Sequence, residues 1–175
     1  QVDTLIENLS ASAAPNDTIC AGANINLNAG GTNVNDWSWT GPNGFTSALQ
    51  SPVITAATQA ASGDYIVTAS NACGNSKDTV TVLVNATPLT PSTITGTSTF
   101  CGNDTATYSI SSVPGAASYT WALSGGGTIV TGQGTTSIDV SWGSTSGTFT
   151  VSVTAANNCG ASTASTLTVN LQAPA

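Results

Sequence analysis

A Cys…Trp…Cys frame occurs twice in this chain, and it restricts the fold more than any other feature. Cys20, Trp39 and Cys73 recur as Cys101, Trp121 and Cys159. Trp39 follows Cys20 by 19 positions and Trp121 follows Cys101 by 20, while the second intervals are 34 and 38. Each closing cysteine ends a stretch of one design. Gly63 to Gly74 begins Gly-Asp-Tyr, alternates apolar with small polar residues, and ends Asn-Ala-Cys-Gly. Gly147 to Gly160 begins Gly-Thr-Phe, alternates in the same way, and ends Asn-Asn-Cys-Gly. Self-similarity at a fixed period marks a duplicated structural unit. The 175 residues therefore divide into two domains of about 80 residues each.

Period-2 alternation identifies these units as β-structure, because successive side chains on a strand point to opposite faces. The candidate strands in the first unit are Ile25 to Leu27, Trp37 to Thr40, Pro52 to Ile54, Tyr65 to Ala69 and Thr79 to Val84. Gly41 to Phe45 carries Asn43-Gly44, a hairpin signal. In the second unit they are Ser92 to Ile94, Ala106 to Ile110, Ser118 to Leu123, Gly127 to Val130, Ser137 to Trp142, Thr148 to Thr154 and Thr166 to Leu171. Nothing reads as a helix. The expected fold is all-β, two tandem antiparallel β-sandwiches with an extra N-terminal strand. The boundaries read as 1–10 for an N-terminal extension, 11–87 for the first sandwich and 88–175 for the second. Pro88 and Pro91 stiffen the linker. The segment Gln1 to Leu9 has no counterpart ahead of the second unit. It is either an extended first strand or a donor strand that completes a neighbouring copy.

Composition excludes several functions. Lys77 is the only basic residue, histidine is absent, and the net charge is −7. Nucleic acids and anionic membranes are poor partners, since both are bound through Lys and Arg. No apolar run is long enough to span a bilayer as a helix. Catalysis needs a base, a metal or an activated nucleophile, and eight scattered acids assemble none, so neither an enzyme nor a cofactor is expected. Asp36, Asp64 and Asp139 are too sparse for a calcium loop. Four cysteines without Cys-x-x-Cys or histidine point to disulfides in an oxidising compartment rather than to zinc. Trp39, Trp121, Tyr65 and Phe149 are expected in the cores, with Trp37 and Trp142 beside them on inward faces. A chain that opens on Gln1 reads as a processed product or as part of something longer.

The second unit resembles the PKD-like modules of Bacteroidota surface proteins. The matching residues are Phe100-Cys101-Gly102, Tyr119-Thr120-Trp121, Gly132-Gln133-Gly134, Val140-Ser141-Trp142-Gly143 and Asn158-Cys159-Gly160-Ala161-Ser162. The first unit resembles their Ig-like companions through Trp39 to Phe45 and Gly63-Asp64-Tyr65. Such modules occur in adhesins, gliding-motility proteins and appendages of secreted enzymes. The resemblance implies an extracellular, cell-surface structural protein, either a filament subunit or an adhesin segment. Its partners are copies of itself head-to-tail or further modules, with surface glycans as further candidates. The competing implication is a carbohydrate-binding or spacer module of a secreted glycoside hydrolase. It also implies O-glycosylation at Asp-Thr-aliphatic triplets, with Thr4, Thr18, Thr79 and Thr105 as acceptors.

Two disulfide arrangements follow from that fold. One bridge per domain would join Cys20 to Cys73 and Cys101 to Cys159. Cys73, however, lies eight residues beyond Tyr65, against two for the intersheet cysteine of antibody domains, a displacement of about 20 Å. The alternative joins Cys20 to Cys159 and leaves Cys73 and Cys101 facing neighbouring copies.

Overall fold

The computed structural model describes residues 5–14 and 18–172. The chain divides into two compact units, Gln1–Ala86 and Thr87–Ala175. The division falls one residue before the expected one, because Ala86 directly follows the last strand of the first unit.

The first unit contains β1 (Glu7–Ala14), β2 (Thr18–Cys20), β3 (Ile25–Thr32), β4 (Asp36–Gly41), β5 (Phe45–Ser47), β6 (Val53–Ile54), β7 (Gly63–Asn71) and β8 (Gly74–Asn85). They form a three-stranded sheet, β1-β3-β6, and a five-stranded sheet, β2-β8-β7-β4-β5. Alternation places Ile25, Leu27 and Ala29 of β3 opposite Trp39, Tyr65, Val67, Val80, Val82 and Val84 of the other sheet, and all are buried. Asn43 and Gly44 both have positive φ, 55° and 72°. This left-handed geometry returns β4 into β5, with Gly41 opposite Phe45. Gly41 is required for packing, since a Cβ there would lie 2.5 Å from the Tyr65 ring.

The second unit contains β9 (Thr99–Cys101), β10 (Thr105–Ser109), β11 (Ser118–Leu123), β12 (Gly127–Thr131), β13 (Ser137–Trp142), β14 (Gly147–Asn157), β15 (Gly160–Ala161) and β16 (Ser165–Gln172). Its sheets are β10-β13-β12 and β11-β14-β16-β9, with β15 paired to β14. Tyr108, Trp121, Ile138, Val140, Trp142, Val151 and Val153 fill its core. Each unit thus has its own core between two sheets, the layer arrangement of a β-sandwich.

From Glu7 onward the N-terminal segment follows the extended-strand alternative rather than the donor-strand one, and one expected strand needs correction. Residues from Glu7 onward, part of the candidate donor strand, pair antiparallel with β3 of their own unit, from Glu7 opposite Thr32 to Ala14 opposite Asn26. Leu9 and Ala11 pack on that unit's core, and the Ala11 N–H donates to Asp78 Oδ2 at 2.7 Å. Their apolar groups are satisfied at home. The call on residues 1–4 lies outside the described residues. The strand expected at Ser92 to Ile94 does not form. That segment buries Ile94 and makes a single bridge, Thr95 to Ser109. Pro91 just upstream has no N–H to donate to a ladder.

Candidate functional site

Sheet register fixes where each cysteine lies within its unit. Cys20 ends β2, which runs parallel to β8 and sets Cys20 opposite Asn85, the last residue of β8. Cys73 occupies the turn that precedes Gly74, the first residue of β8. The 12 residues of β8 therefore separate them, a distance of about 36 Å at the usual strand rise. The second unit repeats this layout. Cys101 ends β9, parallel to β16 and opposite Gln172. Leu171, next to Gln172, pairs with Gly147 at the start of β14, and Cys159 lies beyond Asn157 at its other end. The 11 residues of β14 span about 33 Å. A disulfide bridges Cα atoms only about 4.4–6.8 Å apart. Both within-unit bridges are excluded on this register.

The turns that hold Cys73 and Cys159 are built alike. The Cys73 N–H donates to Asn71 Oδ1 at 2.9 Å, and the Cys159 N–H donates to Asn157 Oδ1 at 2.8 Å. Each asparagine thus closes a local turn on the backbone two residues ahead. The Asn-x-Cys-Gly signature repeated in the sequence is this turn. Cys20 and Cys159 are disulfide-bonded. Cys101 is a free, exposed thiol, and Cys73 is also exposed.

The aromatic side chains that the structure describes face inward. Trp39, Trp121, Trp142, Tyr65 and Tyr108 are each at most 2% exposed. Trp37 and Phe45 pack against the first core, and Tyr119 and Phe149 against the second. Phe149, expected as a core residue, is half-buried. Its ring lies 6.0 Å from that of Trp142 at the core's rim. The exposed large apolar side chains among the described residues are all aliphatic. A row of exposed rings on which a sugar could stack is therefore absent from them.

Tyr65 and Phe149 sit two residues after Gly63 and Gly147, but they act differently. The Tyr65 hydroxyl donates to the Ala61 carbonyl at 2.8 Å and ties β7 to the preceding turn. Burial raises the Tyr65 pKa above the ordinary tyrosine value. In the second unit Tyr108 takes the polar role. Its hydroxyl donates to the Thr97 carbonyl at 3.0 Å and accepts from Trp142 Nε1 at 3.1 Å. Burial raises its pKa too, partly offset by the Trp142 hydrogen bond.

The acids do not converge. Among the described residues no group of His, Cys, Asp and Glu can hold a metal ion. Asp64 Oδ1 accepts from the Thr81 hydroxyl at 2.6 Å on the outer face of the first unit. Asp36 pairs with Ser70, six residues further along β7. Asp139, in the other unit, accepts from the hydroxyls of Thr107 at 2.7 Å and Thr131 at 2.8 Å. These bonds, Thr107 first, lower its pKa. Asp139 thus clamps the three strands of its sheet.

Thr18, Thr79 and Thr105 are exposed, and Thr4 lies outside the described residues. Asp78 Oδ1 accepts the Thr79 N–H, and Asp104 Oδ1 accepts the Thr105 N–H, each at 2.8 Å. Asp78 also holds Ala11 through its other oxygen. The aspartates of these two triplets therefore have a backbone-capping role that sequence alone did not reveal.

Residues 87–169 match the model of a PKD-like domain family. No curated protein matches the chain. Among solved structures, the two-domain fragment DIP-gamma IG1+IG2 superposes with a TM-score of 0.61 at 14% identity, covering 99% of this chain and 100% of that one. The titin I-band fragment I67–I69 gives 0.61 at 12% identity, with 98% and 67% covered. Three N-terminal domains of the bacteriophage RB49 Highly Immunogenic Outer Capsid protein give 0.54 at 11% identity, with 96% and 71% covered. At these identities the likeness is one of fold: tandem Ig-like and PKD-like β-sandwiches.

Proposed function

We propose that the chain is a non-catalytic structural module of an extracellular surface assembly, a subunit of a filament or a segment of an adhesin. One observation carries this reading: each unit bears one cysteine at each end, too far apart to staple its own sheets. Cysteines placed at module ends serve to couple modules along a line. Edge strands β2, β5, β6 and β9 have only two or three residues each, which disfavours edge pairing along them. The carbohydrate-binding alternative loses support from the burial of the aromatic residues. O-glycosylation at Thr18, Thr79 and Thr105 belongs to the same reading, and glycans would solvate a surface poor in charge. An intact mass equal to that of the bare chain would remove that modification. Negative-stain microscopy of native material tests the assembly. The expected result is linear polymers, and monomers alone at every concentration would contradict it.

A further inference from the structure

We propose that the second unit binds a neutral saccharide in a cleft where the β9–β10 loop meets the start of β12 and the end of β13. This inference deepens the adhesin branch of the surface-module reading and rests on it, giving such a module something to hold. The cleft has a volume of about 460 Å³ and is lined by Asn103, Thr128, Ser141, Trp142 and three glycines. That volume lies within the usual range of small-ligand sites, about 300–1,000 Å³.

The three glycines separate packing from access. A Cβ on Gly126 would lie 2.6 Å from the Phe149 ring, and one on Gly127 would lie 2.8 Å from the Trp142 ring. The core therefore requires glycine at both. Gly143 is different. A Cβ there would meet only the Gly126 carbonyl oxygen, at 3.4 Å, an ordinary van der Waals contact. Among the 18 glycines of the chain, Gly143 alone has neither a positive φ nor a neighbour closer than that. Neither backbone conformation nor packing asks for glycine at this position. A side chain at 143 would narrow the cleft, so the glycine keeps it open.

Backbone hydrogen bonds fix the walls. The Asn103 N–H donates to the Gly143 carbonyl at 3.1 Å, and the Gly143 N–H donates to the Gly126 carbonyl at 2.8 Å. Thr128 pairs with Ser141 across β12 and β13, so both side chains lie on one face, and both are exposed. The Asn103 carboxamide and these two hydroxyls have no hydrogen-bond partner among the described residues. Each can donate and accept. Sugar hydroxyls do the same, so the lining matches them in kind. No charged side chain lines the cleft, so an ionic ligand would find no counter-charge there. Trp142 adds an apolar edge. Hydrogen bonding inside a cleft does not need the row of exposed rings that the described residues lack.

The test titrates the full, nitrogen-15-labelled chain with cellotriose, mannotriose and N-acetylchitotriose, and with trigalacturonate as the charged counterpart. The expected result is saturable binding of at least one neutral sugar, with amide shifts centred on Asn103, Thr128 and residues 141–143. Affinity should fall about tenfold in Asn103→Gly, which removes the carboxamide but accepts the φ of 66° at that position. Gly143→Leu should weaken binding at least as much by filling the cleft, and the amide spectrum of each variant shows that it folds. No saturable binding by any neutral sugar overturns the proposal. So do shifts that map elsewhere, affinity unchanged in both folded variants, or binding of trigalacturonate alone. Linear polymers seen by microscopy without saccharide binding would sink the cleft and leave the filament reading intact. Binding at the cleft by a protein that stays monomeric would uphold the site and end the filament reading.

Discussion

At the scale of single residues, the two frame tryptophans occupy equivalent places in unequal surroundings. Trp121 Nε1 donates to the Thr135 carbonyl at 2.8 Å, and Gln133 brackets the Trp121 backbone through both of its amide atoms. Trp39 is fully buried, and its Nε1 has no hydrogen-bond partner. A phenylalanine at either position leaves a cavity, but only Trp121→Phe also removes a hydrogen bond, the one to the Thr135 carbonyl. Trp121→Phe should therefore cost more than Trp39→Phe by about 0.5–1.5 kcal/mol in urea unfolding. Equal losses would refute that contribution of the Trp121–Thr135 hydrogen bond. Tyr65→Phe removes one buried hydrogen bond and should cost about 0.5–1.5 kcal/mol. Ionisation offers a second check. Folding raises the pKa of Tyr65 and Tyr108, so the stability tied to them is complete below the ordinary tyrosine pKa. It is lost as pH rises through the folded values. Both should form phenolate later than unfolded tyrosine in a spectrophotometric titration. Asp139 has the opposite sign, because its pKa falls on folding. Its contribution is present above the unfolded carboxylate value and disappears as pH drops through the lowered one. Asp139→Asn should flatten that acid limb of the stability curve.

At the scale of elements, Asp78 links strands that belong to different sheets. Its Oδ2 accepts the Ala11 N–H of β1, and its Oδ1 accepts the Thr79 N–H within β8. Asp78→Ala should destabilise the first unit by about 1–3 kcal/mol, with hydrogen exchange accelerating first in β1. Unchanged protection of residues 9–14 would show that Asp78 does not hold that strand. The elements also separate what sequence reveals from what it hides. β4, β7, β11 and β13 were legible because one face is buried and side-chain period alone identifies them. Asn43-Gly44 was legible because few residue pairs tolerate two left-handed positions. β2 and β9 were not legible. Each has three residues, too few to show a period, and each exists by parallel pairing to a strand that the chain reaches about 65–70 residues later. Those two strands carry Cys20 and Cys101, so the cysteines were visible in sequence while their ends of the sandwich had to be inferred from topology. The capping work of Asp78 and Asp104 was hidden for a related reason, since Asp-Thr dipeptides are compatible with many backbone contexts.

At the scale of the whole molecule, the two units share a plan but differ in how each satisfies its polar core groups, and each cysteine lies at an end. The central claim is that no disulfide staples the sheets of either unit, and a single basic residue makes it directly testable. Lys77 lies between Cys73 and Cys101 in sequence, and no arginine is present. Tryptic cleavage of the unfolded, non-reduced chain therefore separates one fragment holding Cys20 and Cys73 from another holding Cys101 and Cys159. The measurement is non-reducing peptide mapping of each fragment after that single cut, made on the wild-type monomer. The register predicts that neither fragment carries a bond between its own two cysteines, Cys20–Cys73 or Cys101–Cys159. A Cys20–Cys73 bond inside the first piece, or a Cys101–Cys159 bond inside the second, would contradict the account.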